Sequence, residues 1–130
     1  WRIGIKQNQA SFAQNYTASA SPETLLASAV TSLQSLQTAL HTLDHSDLCT
    51  RVDHVLTESV LPLAEGRQRI LDQWGMRQGA EILVTLAFGE RMLNRVWSAA
   101  SDGHLPEARN VLQDAHDAFI EAQQQMQADS

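Results

Sequence analysis

Residues Arg77–Ala100 read RQGAEILVTLAFGERMLNRVWSAA, a stretch with no proline and with apolar side chains on more than one face. At 3.6 residues per turn, Met76, Ala80, Leu83, Leu86, Ala87 and Trp97 gather on one side of the helix this spells. Val84, Phe88, Met92 and Val96 form an i, i+4 ridge on the other. A helix that is apolar most of the way round has to be covered on both sides. Two arrangements would cover the ridge. Either Ile3, Ile5, Phe12 and Tyr16 of the N-terminal segment dock on it and complete a five-helix core, or it is a surface for a second copy or another protein. In the second case Phe88 and Met92 are anchors, with Arg91 and Arg95 at the rim.

Outward from this helix, the same punctuation repeats. Asp102-Gly103 closes it, and Leu105-Pro106-Glu107 opens another, lined by Ala108, Val111, Leu112, Ala115, Phe119, Ala122 and Met126. Its end, Gln123-Gln124-Gln125, is expected to fray. Upstream, Gly75 suits the left-handed residue just past a helix end. Before it Leu48, Val52, Val55, Ser59, Leu63 and Ile70 hold one stripe up to Trp74, widened by Leu56 and Val60. Pro62 falls inside that stripe, which keeps phase across it, so a kinked helix is expected and not two helices. Asp44-His45-Ser46-Asp47 is a polar break, with Ser46 or Asp47 as the new N-cap.

Ser21-Pro22-Glu23 supplies an N-cap, a proline at the first helical position and an acid in the first turn. Leu26, Ala29, Leu33, Leu36, Leu40 and Leu43 then mark a helix of about six turns. Residues 1–20 are weakly amphipathic, an extension or a short fifth helix. No segment alternates with period two, and short loops between long helices make neighbours antiparallel. The expected fold is all-α: an antiparallel up-down-up-down four-helix bundle over 21–128, a short extra N-terminal helix over 1–20, and one domain across 1–130.

Composition agrees with that architecture. The chain has 130 residues, 43% of them hydrophobic, enough to form a core without a disulfide or metal. A formal charge of −6 argues against a nucleic-acid partner, since phosphate contacts need clustered cations. No apolar run reaches the about 20 residues of a membrane span. Cys49 is a lone cysteine and leaves the compartment open. The chain starts at Trp1, which reads as a processed or excised piece, and shows no secretory signal of its own. Asn15-Tyr16-Thr17 fits a glycosylation sequon, a short and unspecific motif.

Chemistry-bearing residues crowd at one turn. His41 and His45 are four apart, and in an up-down bundle their turn lies at the same end as His104. A metal set of His41, Asp44, His45 and His104 is the resulting candidate. Against it, both histidines project away from the Leu36–Leu40–Leu43 face, and the inward Glu-x-x-His pattern of bundle metal sites is absent. Glu90 is the one acid near a core-facing stripe, expected at a partly exposed edge or, if drawn inward, paired with an arginine such as Arg67 or Arg69. Trp74 and Trp97 are assigned to structure, and Cys49 to a buried, inert thiol. There is no phosphate loop, paired-cysteine metal motif, haem attachment or nucleophile elbow.

The expectation is therefore a non-catalytic interaction domain without a cofactor, its partner another protein or itself as a homodimer. Its site is Val84, Phe88, Met92 and Val96 with Arg91 and Arg95. Second comes an extracytoplasmic ligand-sensing bundle of a membrane receptor, although nothing within these residues inserts in a membrane. Third comes a metal-binding bundle.

Overall fold

The computed structural model describes residues 20–128, and every regular element among them is helical. α1 spans Pro22–Thr38, α2 His45–Val55, α3 Leu61–Glu65, α4 Arg67–Ser101 and α5 Leu105–Gln127. A 3₁₀ turn covers Leu40–Thr42, and a π-turn over Leu56–Val60 joins α2 to α3 in one rod. The all-α class holds, with four helices packed together: α1, the α2–α3 rod, α4 and α5. The extra helix expected before Ala20 lies outside the described residues.

Caps fix the helix starts. Ser21 Oγ accepts the Thr24 N–H at 3.1 Å ahead of Pro22, as expected. The stripe that promised six turns delivers a shorter helix, because α1 stops at Thr38. The Thr38 hydroxyl donates back to the Gln34 carbonyl at 3.0 Å within the last turn of α1, and that of Thr42 to the Ala39 carbonyl at 2.8 Å in the 3₁₀ turn that follows. Leu40 and Leu43 still pack on the core, from the 3₁₀ turn and its exit. The N-cap of α2 is Asp44, not Ser46 or Asp47: its carboxylate accepts the Asp47 N–H at 2.8 Å.

Pro62 does not split the second helix. The chain widens just before it, with the Leu61 N–H reaching back to the Leu56 carbonyl, and Pro62 then sits in the first turn of α3. The wider π-turn accommodates a residue that lacks the donor and crowds the preceding turn. The helix does not run unbroken to Trp74, however; it closes at Glu65 and reopens at Arg67 around Gly66. A second break bends α4 at Gly75, whose φ of 86° and ψ of 169° lie in a region open essentially only to glycine. It divides α4 into a short arm, 67–74, and a long arm, 76–101.

Side-chain pairings show that neighbours run antiparallel. Ser28 meets Ser59 and Ser35 meets Arg51 between α1 and the α2–α3 rod. The Cys49 thiol reaches the Trp97 carbonyl, and Val60 and Leu63 share a groove with Leu83 and Leu86. Arg95 pairs with Glu107, Gly89 packs on Phe119, and Gln78 bonds the Gln125 carbonyl. The turn between α4 and α5 is a Schellman close: the His104 N–H bonds the Ala99 carbonyl at 2.8 Å and the Gly103 N–H that of Ala100 at 3.0 Å. Gly103 takes the positive φ, 81°, that this closure needs.

The long arm buries Gly79, Ile82, Leu86, Gly89, Leu93, Val96 and Ala100, alternating steps of three and four. That heptad-like seam packs against Ala108, Val111, Ala115, Phe119 and Ala122 of α5. Each fully buried leucine or phenylalanine stabilises the fold by roughly 1.5–3 kcal/mol relative to exposure. The end of α5 is tied down, not frayed. Trp74 Nε1 donates to the Met126 carbonyl at 2.8 Å, and Gln78 Nε2 to the Gln125 and Ala128 carbonyls at 2.9 and 3.0 Å. Acceptors that a helix end leaves open are thus satisfied from α4.

Candidate functional site

The seam decides which side of α4 faces solvent, and it cuts across the ridge expected from sequence. Val96 is 0% and Met92 9% exposed, so both belong to the core; Val84 is 71% and Phe88 42% exposed. The ridge is therefore corrected to its first half. Conversely Met76, placed with the core from sequence, is 73% exposed, and Trp97 is also on the surface. Steps of four drift about 40° per step around a helix, so a four-member ridge starting on the surface ends in the core. What remains outside is an apolar back along the first three turns of the long arm: Met76, Ala80, Val84, Ala87 and Phe88.

On the α5 side this back descends into a groove lined by Val84, Thr85, Phe88, Arg91, Asp114, Asp117, Ala118 and Glu121. The Arg91 guanidinium lies 6.0 Å from the Phe88 ring centroid. Arg95 bridges to Glu107 at 3.9 Å further along, toward the Gly103 turn. Three carboxylates thus line the groove against one guanidinium. Asp117 and Glu121 accept from Gln113 and Gln125 on their own helix, at 2.8 and 3.5 Å, and these neutral donors leave the negative charge in place. On the other flank, Leu83, Ala87 and Glu90 border a groove with Val60, Leu63, Ala64 and Arg67. Glu90 is half-buried there beside Arg67, whereas Arg69 donates instead to the Ala20 carbonyl at 2.8 Å.

The histidine-rich turn is not assembled into a metal site. His41 is in the 3₁₀ turn, Asp44 caps α2, His45 opens α2 and His104 precedes α5, all exposed. Among the described residues no three His, Cys, Asp or Glu side chains are close enough together to hold one ion. Cys49 is half-buried, its thiol 3.5 Å from the Trp97 carbonyl. Burial pushes its pKa up, which disfavours the thiolate that a nucleophile would need.

Comparison with known protein families, with curated proteins and with solved structures finds no match. No helix among the described residues is long and apolar enough to cross a membrane. The acidic, apolar-floored groove was missed in the sequence because its two walls come from helices about 30 residues apart. The excess of acids from Asp102 onward (Asp102, Glu107, Asp114, Asp117, Glu121 and Asp129 against Arg109) already marks the last helix as an acidic face, read from sequence as a solvated surface and not as the wall of a groove.

Proposed function

We propose that this chain is a non-catalytic helical-bundle interaction domain whose binding face is the apolar back of α4 with its acidic flank on α5. The observation that carries this is exposure: Val84 and Met76 are more than two-thirds exposed although Ile82, Leu93 and Val96 of the same arm are fully buried. Contiguous exposed apolar side chains rimmed by charge are what a partner surface looks like. Phe88 is the anchor, and Arg91 and Arg95 form the rim.

Light scattering over a concentration series, with capture from a lysate of the source cells, tests it on wild type, Val84→Asp and Phe88→Asp. Wild type is expected to associate with itself or retain a specific protein, and both variants to lose that association while keeping their helical circular dichroism. A wild type that stays monomeric and retains nothing the variants do not would overturn the reading.

The ligand-sensing bundle is the second reading, favoured by one observation. The Ala20 carbonyl is held by Arg69 and the Ala128 carbonyl by Gln78, which puts both ends of the described chain at the Gly75 end of the bundle. Outer helices that continue into a membrane require that arrangement. Apolar spans on both flanks of the parent gene would support it, and their absence would end it.

A further inference from the structure

The groove between α4 and α5 sets an apolar floor beside a wall of one charge. Val84 and Phe88 are 71% and 42% exposed at its floor, next to Ala118. On the α5 wall Asp114, Asp117 and Glu121 follow at steps of three and four, one helix face over two turns and about 10 Å. All three are exposed, and among the described residues no arginine pairs with any of them. Asp117 lies 3.8 Å from Nδ1 of His116. Arg91, on the opposite wall, sits by the Phe88 ring, 6.0 Å from its centroid.

The shape of the groove narrows the occupant further. Its walls are two antiparallel helices, and no strand among the described residues offers an edge to an extended peptide. Along it α4 turns Ala80, Val84 and Ala87 outward at helix spacing, and the two alanines let a neighbouring backbone come close. A helix laid there buries an apolar stripe on Val84, Phe88 and Ala118 and carries its flanking side chains past the α5 wall. A second copy of this chain matches that wall poorly, since it brings a formal charge of −6 and the same three carboxylates.

We propose, building on the reading of this face as a binding surface, that the α4–α5 groove receives a cationic amphipathic helix of another protein. Its lysines or arginines, three and four apart beside the apolar stripe, face Asp114, Asp117 and Glu121. The stripe supplies affinity through burial. The charges at the rim set the register, the association rate and the salt dependence.

The test titrates the full chain into fluorescein-labelled peptides of about 18 residues, followed by anisotropy. One has leucine and lysine at amphipathic-helix spacing, one the same composition scrambled, and one glutamate in place of lysine. Only the first is expected to bind, with an affinity that falls as salt rises. Amide shifts of ¹⁵N-labelled protein should gather on residues 80–91 and 114–121. Asp117→Lys with Glu121→Lys should weaken binding about tenfold. Glu58→Lys with Glu65→Lys, the same charge change at exposed positions outside the groove, should weaken it less than about twofold. Circular dichroism reports whether each variant is folded, and the wild-type shift map locates the site without them. Equal binding of either control peptide, equal loss in both double variants, or shifts elsewhere would overturn the proposal. Association of the chain that depends on Val84, without binding of the lysine peptide, would overturn the cationic helix alone. Peptide binding mapped to the groove, with neither self-association nor a retained protein, would overturn the interaction reading alone.

Discussion

At Gly89 a single hydrogen decides the fit of two helices. A Cβ there would lie 2.7 Å from the Phe119 ring, and Phe119 is fully buried with nowhere to turn. Gly89→Ala gains about 1 kcal/mol of helix propensity but overpacks the seam by about 1–3 kcal/mol. A lower urea midpoint at unchanged m is expected, with Phe119→Leu relieving part of the loss. Gly75 is a different case, since nothing lies within 4 Å of its Cβ position. Gly75→Ala should still destabilise by about 1–3 kcal/mol, through backbone strain alone, read as a lower thermal midpoint. At Cys49, desolvation raises the thiol pKa, so the folded chain holds that proton more tightly than the unfolded chain. The associated stability is present below the free-thiol range and is lost as pH rises through the folded value. Iodoacetamide reactivity should accordingly rise at a higher pH in the folded chain than in urea.

Helices were legible in the sequence wherever an end carried its own chemistry. Ser21-Pro22, Gly75, Asp102-Gly103 and Leu105-Pro106 each mark a boundary that the structure keeps. Boundaries without such chemistry were not legible: Leu40 and Leu43 continue the α1 stripe, yet the α-helix closes at Thr38 and passes into a 3₁₀ turn. On α4, with apolar residues most of the way round, periodicity could not choose between two faces. Gly89 held the answer, because a small residue on the seam marks where another helix comes close, here Phe119 of α5; Gly79 lies instead against Ile70 and Leu71 of the short arm, across the Gly75 bend. The end of α5 was beyond sequence reading, since its carbonyls are bonded by Gln78 and Trp74, 47 and 52 residues away. Trp74→Phe with Gln78→Ala should cost about 1–3 kcal/mol and speed amide exchange over the last turn of α5.

For the molecule as a whole, the surface was less legible than the core. Exposure of Val84 and burial of Val96, twelve residues apart on one expected ridge, follow from how all four helices meet. Val84→Asp should therefore move stability by no more than about 0.5 kcal/mol, whereas Val96→Asp, which buries an unpaired charge, should prevent folding. Circular dichroism of the two variants side by side checks this. The placement of the tryptophans has an optical consequence. Trp74 sits half-buried near the Gly75 end with its indole N–H bonded, and Trp97 lies on the surface near the Gly103 end. Each end of the bundle thus carries its own chromophore, Trp74 with a half-buried and bonded indole and Trp97 with a more exposed one. With Trp1 replaced by phenylalanine, Trp74→Phe and Trp97→Phe versions report the two ends separately during unfolding. Superimposable curves would mean that the bundle melts as one cooperative unit, and an early transition at one chromophore would show which end opens first.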